Sequence, residues 1–247
     1  MHDAIRFDIC CAARILFRAG LSVANAGHLS VTVAPNQMLV NRFGPSFATL
    51  VPKDILLCDF QGKILEGEGI VNDTIQLHGT IHRYNPQLVA VAHTHPPAVV
   101  TFSAFRQVPE VYDQESCLLA GDVAIVEEDY EGIAATEDRN RGLAEAIGRS
   151  RAVILPNHGA VTSGPNIQLA AVAMLLLEGM VQRNLSIAMT ARATGLTPKP
   201  IAREAALRAK AEIGRIPFLQ PLWHDMLSRL QKTDPELLEH RPKTAAA

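Results

Sequence analysis

The stretch that most constrains this chain is "VAHTHPPAVV", residues 91–100. The run Leu88 to Ala92 is short, continuous and apolar, the pattern of a buried strand. Side chains at i and i+2 of a strand share a face, so His93 and His95 point at one spot just past the strand's end. Pro96 and Pro97 have no backbone N–H to give a neighbouring strand, so they stop the ladder and turn the chain. Two imidazoles on a rigid strand end are a good start for a divalent metal site. A second apolar run, Ala152 to Leu155, leads into "LPNHGAV", which makes His158 the natural third ligand. The alternative is that His93 and His95 are ordinary polar residues at a strand mouth. A second strand-end histidine followed by Gly159 favours the metal. Three neutral nitrogens suit one divalent ion, Zn, Mn, Co or Fe(II), with coordination positions left open.

The rest of the chain supplies strands and helices in mixed order. Residues 3–19 carry apolar side chains at helical spacing, with Gly20 as the stop. "GHLSVTVAP" and "MLVN" read as a hairpin turning at Pro35-Asn36, and "DILLCDFQGKIL" as strand, turn, strand. Helices are expected over 73–83, Pro97 to Ala104, 138–148 (bounded by Gly148) and 167–193, with an amphipathic segment from Leu222 to Gln231. "GDVAIVE" is a further strand. Strands interspersed with helices on both sides indicate an α/β fold, a three-layer α/β/α sandwich. Residues 1–240 read as a single domain, and the tail 241–247 has too little apolar content to hold.

Composition excludes several classes. Net charge is −2 and the charges are mixed, so nothing suggests a nucleic-acid partner. The four cysteines have no metal-ligand spacing and no disulfide framework, as in a reducing compartment, and Cys117 has no partner arrangement for a nucleophile. The N-terminus lacks the apolar core of a signal peptide, and the longest apolar run, Leu169 to Leu177, is too short to span a bilayer. The expected setting is cytoplasmic, with no membrane partner. His78 and His82 lie at i, i+4 and could chelate, but Gly79 stands where a metalloprotease carries Glu. A helix-surface pair with one packed histidine is the favoured reading.

In "GHLSV", "HGTIHRYNPQLVAVAHTHPPAV", "AVILPNHGAVTSG" and "WHDMLSRLQKTDP", and in their order through the chain, the sequence resembles the class II aldolase/adducin family. The resemblance implies a central, mostly antiparallel sheet within the α/β/α sandwich. It implies a homotetramer with active sites between subunits, and a divalent metal on residues that map to His93, His95 and His158. It also exposes departures. Thr74 stands where the sugar-phosphate aldolases carry a proton-shuttling Glu, and Thr cannot ionise. Asn72 and Asp73 replace two phosphate-binding serines, and Asp73 would repel a phosphate dianion. His28 replaces an Asn. The pattern is closer to family members that decarboxylate hydroxylated aromatic or pyridine dicarboxylates, or that shorten aryl-pyruvate side chains with iron and oxygen.

These substitutions set the functional expectation. A small-molecule carboxylate would chelate the metal, which acts as electron sink for a carbon–carbon lyase, in first place a decarboxylase. An Fe(II) oxygenase, an aldolase on a non-phosphorylated substrate and a non-catalytic adducin-like assembly module are the alternatives. Tyr112 and His28 are the candidate proton donors, a structural role being open for both. Asn72 and Thr74 are expected to line the substrate. Arg42, after "LVN", either grips the carboxylate or is a surface arginine at a hairpin end.

Overall fold

A computed structural model describes residues 2–23, 25–127, 132, 136–214 and 216–242, with the backbone alone at 216–219. Eight strands form one sheet: β1 (His28–Ala34), β2 (Gln37–Asn41), β3 (Ile55–Asp59), β4 (Ile64–Glu66), β5 (Ala90–Thr94), β6 (Val123–Ile125), β7 (Ala152–Leu155) and β8 (Gly159–Gly164). Their order is β4-β3-β2-β1-β5-β8-β7-β6. Every pairing is antiparallel except β6 with β7.

Alternation along the central strands builds two cores. Ala90 and Ala92 of β5, Ala152 and Ile154 of β7 and Ala160 of β8 face α1 (Asp3–Arg18) and α5 (Ile167–Thr194). Val91, Val153, Leu155 and Val161 face α2 (Gln76–Tyr84) and α4 (Glu137–Arg149). Both faces are covered, so these strands read as continuous apolar runs although they pair antiparallel. The three-layer α/β/α architecture is thus present. The chain continues through α6 (Arg203–Ile213), α7 (Ile216–Thr233) and α8 (Pro235–Leu238). A buried ion pair ties the end back to the start: Arg14 donates to Asp234 at 2.9 Å, and Arg18 to the same carboxylate at 3.1 Å.

Several boundaries differ from expectation. The β5 strand covers Ala90–Thr94, so His93 lies inside the ladder rather than beyond it. Helix α2 begins at Gln76; residues 73–75 are a turn in which Asn72 Oδ1 accepts the Thr74 N–H at 2.9 Å. Gly148 does not end α4, which runs on to Arg149. It is small because a Cβ there would lie 2.2 Å from Asn85 Oδ1. Strand β8 and helix α6 were not anticipated. The amphipathic segment at 222–231 is part of the longer α7, which contains Pro221. The tail expected to fray from Arg241 lies, from residue 243 on, outside the described residues. Among the described residues no helix is long and apolar enough to cross a membrane.

Candidate metal centre

His93 is the fully buried member of the centre, fixed inside β5 opposite Val161 of β8. Its Nδ1 donates to the Ala160 carbonyl at 3.0 Å, which leaves the Nε2 lone pair for a ligand. His95 follows two residues later, where the chain has left the ladder for Pro96 and α3 (Pro97–Ser103). His158 comes from the turn between β7 and β8. That turn needs a left-handed residue, and Asn157 supplies it with φ 56°, while its N–H is held by Ser103 Oγ at 2.8 Å. Gly159 has ordinary φ; its role is close approach, since a Cβ would lie 2.4 Å from the Thr94 carbonyl and 2.7 Å from the His95 ring.

The three rings form a nearly equilateral triangle with centroid separations of 5.0, 5.0 and 4.9 Å, and one nitrogen of each lies within 4.8 Å of the others. His93 Nε2 and His95 Nε2 are 3.3 Å apart. Burial holds all three in the neutral, ligating form: it presses His93 well below its ordinary value, helped by His28, His158 and His95, lowers His95, and brings His158 to about 4. A donor set of neutral imidazoles with one tautomer fixed by an outer carbonyl fits a divalent transition metal.

His28 lies directly opposite His93 in the β1–β5 ladder, with ring centroids 4.9 Å apart. Gly27 lets the strand pass here, since a Cβ would meet the His93 carbonyl at 3.0 Å. His28 Nε2 contacts Thr74 Oγ1 at 2.9 Å, and Thr74 Oγ1 donates to Asn72 Oδ1 at 2.6 Å. The fold therefore brings His93, His95, His158, His28, Thr74 and Asn72 into one neighbourhood. Arg42 is elsewhere. Its Nε donates to Asp54 at 2.8 Å, and it lines a cavity of about 660 Å³ with Arg6, Lys53 and Glu66 that includes none of these histidines. Tyr112 is half-buried on the segment before Ser116 and, among the described residues, has no hydrogen bond or ring contact to the cluster.

Two features escaped the sequence reading. His78 and His82 are both fully buried, not a surface pair, and they do not converge on an ion: Ser30 Oγ lies between His78 Nδ1 and His82 Nε2. The signal was present as His28, Ser30 and Thr32 at i, i+2, i+4 of a strand, matched to His78 and His82 at i, i+4 of a helix. The second is Glu178 of α5, a buried carboxylate that accepts the Ala98 and Val99 N–H groups, each at 3.1 Å. It caps α3 and so anchors the chain immediately after His95.

Residues 7–185 match the family model described as Class II Aldolase and Adducin N-terminal domain. Decarboxylase NovR of Streptomyces niveus is 29% identical over 96% of this chain and 88% of its own length. The 3,4-dihydroxyphthalate decarboxylase of Arthrobacter keyseri is 28% identical over 93% of this chain and 95% of its own. Among solved structures, the L-fuculose 1-phosphate aldolase of Glaciozyma antarctica superposes with a TM-score of 0.83 at 25% identity, covering 98% of this chain and 93% of that one. Sheet order, the histidine triangle and a match over most of the chain agree, and the protein belongs to the class II aldolase and adducin family.

Proposed function

We propose that the protein is a metal-dependent carbon–carbon lyase, and in particular a decarboxylase of a hydroxylated aromatic or related hydroxy- or 2-oxo-carboxylic acid. The observation that carries this reading is the pairing of three converging neutral imidazoles with the non-ionisable Thr74, hydrogen-bonded to His28 beside them. Two decarboxylase relatives of nearly full coverage support it. His93, His95 and His158 would hold one divalent ion, which when bound supplies the positive charge that stabilises electron density left on the substrate. The site carries no carboxylate of its own among these residues, so it favours an anionic substrate that brings its oxygens as donors. Thr74 Oγ1 and His28 handle the proton: one leaves the substrate hydroxyl, the carbon–carboxylate bond breaks with its electron pair kept on carbon, and one proton returns to that carbon. Asn72 orients Thr74, since its Oδ1 accepts the Thr74 N–H at 2.9 Å and lies 2.6 Å from the Thr74 hydroxyl. Asp73 is exposed at the next position, which disfavours a phosphorylated substrate. Tyr112 and Arg42 stand outside the cluster, so any part they play requires approach from a neighbouring subunit or a moved segment.

The test is elemental analysis of the purified protein, followed by turnover with a hydroxylated aromatic dicarboxylate and with an aryl-pyruvate, in air and without oxygen. The expected result is about one metal per chain and carbon dioxide release that is unchanged without oxygen. Oxygen consumption coupled to cleavage of the aryl-pyruvate would replace this reading with an iron-dependent oxygenase.

A further inference from the structure

A continuous chain of hydrogen-bonding groups runs from the metal centre through the interface between β1 and α2. It meets the centre at His28, whose ring centroid is 4.9 Å from that of His93, and from one end to the other it is Asn72 Oδ1, Thr74 Oγ1, His28, His78, Ser30 Oγ, His82 and Thr32 Oγ1. The successive contacts are 2.6 Å, 2.9 Å, 2.6 Å (His28 Nδ1 to His78 Nε2), 2.5 Å, 2.8 Å and 2.9 Å. His82 Nδ1 also lies 3.1 Å from the Leu88 carbonyl. His28, Ser30, His78 and His82 are buried, whereas Thr74 and Thr32 at the two ends are partly exposed. The match is geometric: two residues of strand advance roughly 6.7 Å and four of helix about 6 Å, so the two ladders stay in step.

The proton count gives this chain its character. Asn72 Oδ1 accepts the Thr74 N–H, so it is a terminal acceptor, and the Leu88 carbonyl is an acceptor at the other end. Neutral histidines then allow two settings. In one, all three rings carry Nε2–H, every donor points toward Asn72, and Thr32 donates to His82 Nδ1. In the other, all three carry Nδ1–H, every donor points the opposite way, and His82 donates to the Leu88 carbonyl. The first leaves a mismatch at Leu88 and the second at Asn72, so neither end locks the chain. Burial keeps the rings uncharged: it presses His28 and His78 well below the ordinary histidine value and His82 to about 4.

We propose that His28, His78, Ser30 and His82 are a proton path that joins the Thr74 end at the metal centre to solvent at Thr32. This use rests on the lyase reading above. When Thr74 Oγ1 takes a proton from the substrate hydroxyl, its own proton passes to His28 Nε2. The Nδ1 proton of His28 passes to His78 Nε2, that of His78 to Ser30, that of Ser30 to His82 Nε2, and that of His82 Nδ1 to Thr32. Thr32 then releases one proton to water. One proton enters, one leaves, no ring changes charge, and all three tautomers switch from Nδ1–H to Nε2–H. Protonating the product carbon runs the sequence backwards and restores the Nδ1–H setting, so no ring has to rotate within the core.

Histidine-selective nitrogen NMR of the purified protein tests the path without any substrate. Wild type should show His28, His78 and His82 with one common tautomer ratio. Thr32→Val, which removes the donor at the half-exposed end, should place all three on Nδ1–H. Three rings of unlike tautomer in either protein would overturn the path. Ser30→Ala, which cuts it in the middle, should free His82 to settle on Leu88 independently of the other two. In turnover it should lower kcat about a hundredfold while KM stays within about twofold and bound metal is unchanged. An unchanged kcat in both Ser30→Ala and Thr32→Val would also overturn the path. Coupled tautomers in a protein that cleaves none of the acids would leave the path standing and remove only the lyase reading.

Discussion

His158 can join His93 and His95 because the residue after it has no side chain. A methyl group at Gly159 would have to displace either the Thr94 carbonyl or the His95 ring. Both belong to the segment that presents the ligands, so Gly159→Ala should cost roughly 2–3 kcal/mol of stability and weaken metal binding together. Denaturant unfolding and metal titration on the same variant check this. A stable variant that binds metal like wild type would mean the hairpin can shift away from β5. At the ligands themselves, His158→Ala should reduce metal affinity by more than the roughly 10–100-fold typical of losing an outer partner. Its fold should persist, because the ring is only part-buried. Calorimetric titration of wild type and variant with zinc or manganese gives the comparison.

At the scale of elements, the centre depends on α3 starting where it does. Helix α3 is short and begins at Pro97, directly after the His-Thr-His-Pro turn. Its free N–H groups are met not by a local cap but by Glu178, eighty residues away on α5. Gln182 Nε2 donates to the same carboxylate at 2.9 Å and holds it in place. Glu178→Ala strands two N–H groups in the interior and should cost about 1–3 kcal/mol, with metal affinity falling in parallel. Glu178→Gln keeps one acceptor oxygen, so it should recover much of the stability but not the charge-dependent part of the cap. Thermal unfolding together with metal titration distinguishes the two. Equal losses in both variants would argue against a cap.

For the whole molecule, the buried histidines make stability depend on pH. His82 and His158 are lowered to about 4, and His28, His78 and His93 lie well below the ordinary histidine value of about 6.5. Between those values and 6.5 the unfolded chain takes up protons that the folded chain does not. The metal-free protein should therefore be fully stabilised above about pH 6.5 and lose stability as pH falls toward 4. The slope is up to about 1.4 kcal/mol per pH unit for each such histidine. Urea unfolding midpoints between pH 7 and pH 4.5 measure this, and a flat profile would mean the rings are solvated. Much of this molecule was legible in residue order. Apolar runs ending in His-Thr-His-Pro-Pro and Asn-His-Gly specify rigid strands with histidines at their ends, because strand periodicity and proline's missing N–H act locally. What local pattern could not convey is which distant surfaces meet. The residue order favoured His78 and His82 as a helix-surface pair with one packed ring, and showed Arg42 and Tyr112 beside promising motifs without their neighbours. Only the packing of α2 on β1 buried the first pair around Ser30, and only the pairing of Arg42 with Asp54 turned that guanidinium toward another cavity. Burial and hydrogen-bond partnership arise between segments far apart in the chain, and no short window of sequence contains them.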